Sequence, residues 1–245
     1  MSSIAATVLR TCAERALMNK TIAGDRIFDS AIAPINTDDL DEFSFVILST
    51  EAESAPLTGH NLRSEGGASI DLVFELAIGH RDRRDGEDSI VIPNTDSNLE
   101  FLLTVLERQI WSVLQDENNR WAEAFGQIVV RYNETTSQRG VSNENGARFA
   151  ARQIVLSLEP LSEPAFGQEP VGAWREVIAL FKSDPDLASK GEHLENTILG
   201  VSIPDWDQFR ASVGYSRRAA EALGMTSPIG PSHPPDKITD INDVS

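Results

Sequence analysis

Cysteine is almost absent from this chain of 245 residues, which contains only Cys12. A single thiol excludes an intrachain disulfide and a zinc site built from paired cysteines. Cys12 is in phase with the apolar residues of a predicted helix, and no His or Lys stands close to it in sequence to lower its pKa. We interpret Cys12 as a small buried hydrophobe and expect a reducing compartment.

Long apolar runs are also missing. The longest are far shorter than the ~20 residues that span a bilayer. The N-terminus has neither the basic start nor the apolar run of a signal peptide. The sequence therefore predicts a soluble protein made in the cytoplasm, with no membrane partner.

Positive charge is scarce. Lys and Arg number 21 against 38 Asp and Glu, which gives a formal net charge of -17. Sequence-independent binding to nucleic acid depends on cationic side chains that meet phosphates, so an acidic surface disfavours it. The same surface suits a protein past which DNA slides without being held.

Catalytic and metal-binding motifs are not found. The four histidines, at 60, 80, 193 and 233, do not recur at ligand spacing, and the sequence has no HExxH, GxSxG or GxGxxG. The segment GVSNENGA at 140–147 lacks the Lys-Ser/Thr of a phosphate-binding loop. We therefore expect no enzymatic activity, no cofactor and no metal. An enzyme whose site is assembled from dispersed residues remains an alternative, which a deep pocket with convergent polar groups would favour.

Helical and period-two patterns alternate along the first two thirds of the chain. Helices are predicted over residues 3–18 and 97–116. Strands are predicted over 43–50, 68–80, 127–140, where residues 128, 130 and 132 alternate, and 150–159. This order predicts an α+β fold over residues 1–161: a mostly antiparallel sheet with two helices packed on one face. The polar stretch at 134–147 reads as a long loop or a hairpin tip between two strands.

The remaining third has a different composition. Prolines interrupt the chain after residue 160, and helical patterns follow at 171–183 and 205–224. Residues 225–245 contain too much proline and too little apolar surface to form a core. We expect a helical C-terminal extension over residues 162–224 and an extended or disordered tail over 225–245.

The segment TIAGDRIFDSAIAPIN at 21–36 follows the first helix and precedes an acidic turn and a buried strand. It resembles the corresponding segment of the tail terminator proteins, also called tail completion or neck proteins, of long-tailed bacteriophages. The resemblance extends over roughly residues 3–160, and residues 161–245 are an addition to it. The positions that match the family's pattern are Gly24, Asp25, Arg26, Ile27, Phe28, Asp29, Ser30 and Pro34.

The resemblance implies a structural virion protein located in the tail or neck and assembled in the host cytoplasm. Such a protein forms a homo-oligomeric ring, a hexamer, on the last ring of the tail tube and ends tube growth. It then offers a docking surface to the head–tail connector. The implied partners are the tail tube protein, the connector protein and, around the extension, a sheath protein, with DNA passing through the ring unbound. The nearest alternative is another neck component, such as a connector adaptor or a tube-like protein.

Three segments supply the candidate contacts with subunits or partners. The ribbon at 21–36 could pair with an adjacent strand edge. The segment HRDRRDGED at 80–88 is read as a solvated turn or as a charged edge for a neighbouring subunit. The predicted loop at 134–147 is expected to contact the tube or the connector. The candidate residues are Arg26, Phe28, Asp29, Ile32, Arg81, Arg83, Arg84, Thr135, Ser137, Arg139, Asn143 and Asn145.

Overall fold

The structure is a computed structural model in which the chain divides into two compact units. One comprises Met1–Ala55 and Gly66–Glu163, and the other comprises Pro56–Glu65 and Pro164–Ser245. The residues that the structure describes are 3–30, 42–56, 67–80, 96–140, 143–144, 147–148, 150–165, 167–200, 218, 220 and 223.

A five-stranded sheet forms the centre of the first unit. The strands of the chain are β1 (Ile27–Asp29), β2 (Glu42–Ser54), β3 (Ser69–His80), β4 (Val129–Gly140), β5 (Asn143–Glu144), β6 (Ala147–Arg148) and β7 (Ala150–Pro160). The spatial order of the sheet is β1-β2-β3-β7-β4, and β5 and β6 form a separate hairpin. Only the β1–β2 pair is parallel among the described pairs. The predicted α+β class with a mostly antiparallel sheet is confirmed.

Three helices belong to this unit, where the sequence predicted two. They are α1 (Ile4–Leu17), α2 (Asp96–Leu114) and α3 (Arg120–Ile128). The predictions for α1 and α2 are confirmed. Ser3 caps α1, because its Oγ accepts the N–H of Ala6 at 3.0 Å. Two carboxylates from distant segments accept further N–H groups there: Glu53 from Ser3 at 2.8 Å and Glu163 from Ala5 at 3.0 Å.

The third helix occupies residues for which the sequence predicted almost no element, between the predicted helix that ends at 116 and the predicted strand that begins near 128. Asn119 caps α3, and its Oδ1 accepts the N–H of Trp121 at 3.1 Å. The Asn119 side chain also donates to the carbonyl of Ala16 at 2.9 Å, which ties α3 to the end of α1. Ala122, Phe125 and Ile128 are buried along one side. The helix is short and is followed directly by the β-branched residues of β4, so its helical period does not stand out in the sequence.

Alternate residues of the central strands form the apolar core. Leu48 of β2 lies opposite Phe74 of β3, and Phe74 lies opposite Ile154 of β7. All three side chains are fully buried. Trp111 of α2 meets the Phe74 ring edge to face, with ring centroids 5.7 Å apart. α2 therefore packs on this face of the sheet.

Residues 134–140 belong to a strand, which confirms the strand predicted over 127–140 and contradicts the alternative in which a long loop begins at residue 134. β4 continues to Gly140, and Glu134 to Gly140 pair in unbroken register with Ser157 to Ala151 of β7. β4 is an edge strand with exposed side chains from Val130 to Arg139. Since neither face of this strand has to be buried, its sequence lacks the apolar alternation by which strands are recognised.

The second unit contains a pair of helices, α4 (Ala173–Ser183) and α5 (Ala188–Leu199). Trp174, Val177 and Phe181 of α4 are buried. Gly191 of α5 lies so close to α4 that an added Cβ would stand 2.9 Å from the backbone nitrogen of Lys182. Lys182 also forms an ion pair with Glu195. The first helix of the predicted extension is confirmed as α4. The predicted tail at 225–245 lies outside the described residues, as does the predicted helix at 205–224 except for three positions.

Candidate subunit interface

The two edges of the sheet contain most of the described candidate contacts. The ribbon at one edge begins with a tight turn after α1. The Asn19 N–H donates to the Gly24 carbonyl at 2.8 Å, and the Gly24 N–H donates to the Thr21 carbonyl at 3.0 Å. Gly24 has φ +62°, in the left-handed region that glycine enters without steric cost. The glycine of the ribbon motif therefore has a backbone role.

The charged residues of the ribbon have partners in the same chain. Arg26 donates from Nε to the Ser44 carbonyl at 2.8 Å. Asp29 accepts from Arg10 Nε of α1 at 2.6 Å, and both side chains are largely buried. Arg10 also donates to Thr50 Oγ1 at 3.2 Å. Arg26 and Asp29 thus attach the ribbon to β2 and α1, where the sequence suggested contacts with a partner.

Phe28 occupies the middle of β1 on the sheet face opposite the helices. It is paired in register with Ile47 of β2, and its side chain is half-buried. Ile27 and Asp29, on either side of it, point toward α1 and the core. The ribbon therefore pairs with a strand of its own chain. Pairing of its other side with an adjacent subunit stays a prediction.

The other edge, β4, is long and exposed. Val130 and Tyr132 are 58% and 54% exposed, which is high for large apolar side chains. Further along, Thr135, Ser137 and Arg139 share the face that is occupied by α2, because they pair with Leu156, Ile154 and Arg152 of β7. Thr136 and Gln138 point to the opposite face. The structure thus brings three of the candidate residues together in one row on an open strand.

A network of two arginines and two glutamates joins this edge to α2. Arg152 of β7 donates to Glu107 and to Glu100, each at 2.8 Å. Arg139 of β4 forms an ion pair with Glu100 at 3.1 Å. Burial by itself lowers the pKa of the Arg152 guanidinium, but hydrogen bonds and charge attraction from Glu107 and Glu100 outweigh it, so the net pKa is raised. Glu100 therefore holds β7 and β4 to the same helix.

The position of Arg152 in the sequence is a signal for this network. Arg152 has the same parity as Ile154, Leu156 and Leu158, which places a charge in phase with core positions. A charge in that phase requires a buried partner. Glu100 and Glu107 are two helical turns apart on α2, so they can reach one strand residue together. Their partner could not be chosen from the sequence, because that choice depends on how β7 and α2 pack.

The other candidates give less information. Asn143 is described by its backbone alone, which pairs with Arg148 in the β5–β6 hairpin. The remaining candidate residues lie outside the described residues; they are Ile32, Arg81, Arg83, Arg84 and Asn145.

In the part of the chain that the structure describes, no cluster of three or more His, Cys, Asp or Glu side chains could hold a metal ion. Cys12 is fully buried, and burial raises the pKa of its thiol far above the ordinary value. None of the described helices combines the length and the apolarity that crossing a bilayer requires.

A scan against protein-family models finds no match for the chain, and no curated protein matches it.

Proposed function

We propose that this chain is a structural virion protein that caps the phage tail tube as a ring. In this role it ends tube polymerisation and provides the docking surface for the head connector. The observation that carries the proposal is the ribbon from Gly24 to Ser30. Seven of the eight residues on which the resemblance rests, all except Pro34, form one continuous segment of the described structure, with a left-handed glycine and two charged residues bonded to other segments. A chance match in a flexible loop would have no such internal bonding.

The order of the elements also supports the proposal. The resemblance implies a helix, a ribbon, two strands, a helix and closing strands. The first unit contains α1, β1, β2, β3, α2, β4 and β7 in that order, with α3 inserted before β4. The formal charge of -17 suits a channel wall that must let DNA pass.

The decisive experiment mixes the purified protein with isolated tail tubes that lack a cap. Negative-stain images should show a single added ring at one end of each tube, and the capped tubes should stop growing when tube protein is supplied. Tubes that remain bare and continue to grow would overturn the proposal. A protein that polymerises into tubes by itself would favour the tube-like alternative.

The segment between β4 and β7 is proposed to contact the tube or the connector. Replacing residues 141–150 with Asn-Gly should keep the β4–β7 ladder, since Gly140 pairs with Ala151 and this dipeptide favours a two-residue hairpin turn. We expect this variant to fold and to join heads and tails poorly. Gly126→Ala is the matched control, because Gly126 is exposed on α3 and an added Cβ meets nothing within 4 Å. Normal joining by the shortened variant would refute the contact.

The second unit is proposed to stabilise the ring from outside, through a neighbouring subunit or the sheath. The truncation point should follow Glu163, because this carboxylate accepts the Ala5 N–H of α1 and the first unit ends there. The truncated protein should retain the far-ultraviolet circular dichroism of a folded domain but assemble less completely on tubes. Full assembly without residues 164–245 would contradict this role.

A further inference from the structure

Within the described part of the chain, the second half of β4 has neither a bulge nor a neighbouring strand on its outer side. Monomeric proteins disrupt exposed edges with bulges, charges or short strands, because an open edge pairs with other chains. The first half of β4 has register shifts between Val129 and Arg131 and between Tyr132 and Glu134. From Glu134 to Gly140 the register with β7 is unbroken. This half is therefore a regular strand with one open side among the described residues.

The charges that could repel a second strand lie at the ends of this half. Arg139 is drawn back onto α2 by Glu100, at 3.1 Å. Between Glu134 and Arg139 stand Thr135, Thr136, Ser137 and Gln138, which are uncharged and exposed. Thr and Ser side chains hydrogen-bond well across neighbouring strands. The middle of the edge is therefore chemically suited to pairing.

We propose that this edge pairs antiparallel with β4 of a second copy of the chain, about a two-fold axis at Ser137. Two residues that pair across neighbouring strands project from the same face of the sheet. In a pair of identical β4 strands, each residue can therefore pair only with itself or with residues an even number of positions away. The register centred on Ser137 uses the whole bulge-free half. It places Glu134 opposite Gly140, Thr135 opposite Arg139 and Thr136 opposite Gln138, so no like charges face each other. A register centred on Thr136 reaches the bulge before Glu134 and forms a shorter ladder.

A second copy is the favoured occupant because the strand is self-complementary in this register. The contact is isologous and closes at two copies. It is therefore a different contact from one that closes a six-membered ring. The inference depends on β4 alone, not on the proposed tail function, and it is tested on the protein without tubes. The proposed β4 dimer can be refuted without refuting the proposed tail function, and the reverse also holds.

Disulfide trapping tests the register directly. Across the proposed axis the two Ser137 Cα atoms lie about 4.5–5.5 Å apart, which a disulfide can bridge. The two Thr135 side chains lie on the same face. Because Thr135 of one copy pairs with Arg139 of the other, the two Thr135 Cα atoms are four residues apart along the strand, or about 14 Å at about 3.4 Å per residue. Ser137→Cys should form a covalent dimer under mild oxidation, whereas Thr135→Cys and the wild type, whose Cys12 is buried, should not. Equal trapping of both variants, or none of either, would overturn the proposal.

Two charge substitutions should change the dimer in opposite directions. Ser137→Lys places two ammonium groups opposite each other and should weaken dimerisation on the order of tenfold or more, because like charges facing each other are costly. Thr135→Glu places a carboxylate opposite Arg139 of the second copy and should strengthen it. Sedimentation equilibrium measures both constants, and far-ultraviolet circular dichroism spectra identical to that of the wild type show that the folds are intact. A wild-type protein that stays monomeric at all concentrations, or that leaves β4 open until tubes bind it, would refute the pairing.

Discussion

The two edges of the sheet differ in how the chain treats them. The ribbon edge is three residues long, and its charged side chains are bonded to α1 and β2. The β4 edge is twelve residues long, and its side chains are exposed. One edge is attached to the core, and the other has no neighbouring strand on its outer side among the described residues. The sequence motif in the ribbon therefore contributes to internal structure, whereas the polar second half of β4, which has no recognisable motif, forms exposed surface.

The largest expected effect comes from breaking the attachment of the ribbon. Asp29→Ala leaves the Arg10 guanidinium largely buried without its carboxylate, which should lower the free energy of unfolding by about 2–3 kcal/mol. Urea denaturation measures the loss. Asp29→Asn keeps a hydrogen-bond acceptor and should lose less. An effect no larger than that of Arg139→Ala would show that the two edges do not differ as described.

The next largest effect should follow from Glu100→Gln, which removes the charge that both Arg152 and Arg139 contact. We expect a loss of about 1–2 kcal/mol, because hydrogen bonds to charged groups are stronger than neutral ones. Hydrogen exchange should also accelerate in β4, since Glu100 holds that strand to α2. Glu117→Gln, at an exposed turn position, is the control and should change neither quantity.

Glycine substitutions should have opposite signs in the ribbon and in α3. Gly24→Ala forces a side chain into a backbone with φ +62° and should cost about 1 kcal/mol. Gly126→Ala replaces an exposed helical glycine and should stabilise by up to about 1 kcal/mol. Neither added Cβ meets an atom within 4 Å, so thermal melts of the pair isolate the backbone effect. If both substitutions stabilised the protein, or both destabilised it, the proposed backbone effect would be contradicted.

The smallest effect is expected at the open edge itself. Arg139→Ala removes an ion pair whose arginine is 59% exposed, and such pairs contribute about 0–1 kcal/mol. The unfolding free energy should change by no more than about 0.5 kcal/mol. A loss comparable to that of Asp29→Ala would mean that β4 is as firmly integrated as the ribbon.

Sequence patterns predicted the elements whose faces are buried on one side. α1, α2 and β3 each carry apolar residues at the period of their own geometry, and all three occur near the predicted positions. α3 was missed because it is short and followed directly by strand residues. The outer half of β4 was assigned both to a strand and to a loop, because an exposed edge imposes no apolar pattern that decides between them. Among the candidate contacts, Thr135, Ser137 and Arg139 were predicted in a loop or a hairpin tip; the structure places them on a strand, and their contact with a partner stays a prediction.

The sequence by itself determined the α+β class, the burial of Cys12 and the core faces of the central strands, because burial of one face leaves a local period in the residues. Only the tertiary structure decided that Asp29 forms an ion pair with Arg10, that Glu100 forms ion pairs with both Arg139 and Arg152, and that β4 is an edge strand. These pairings connect residues up to 52 positions apart. They depend on how helices and strands pack, which no local period records.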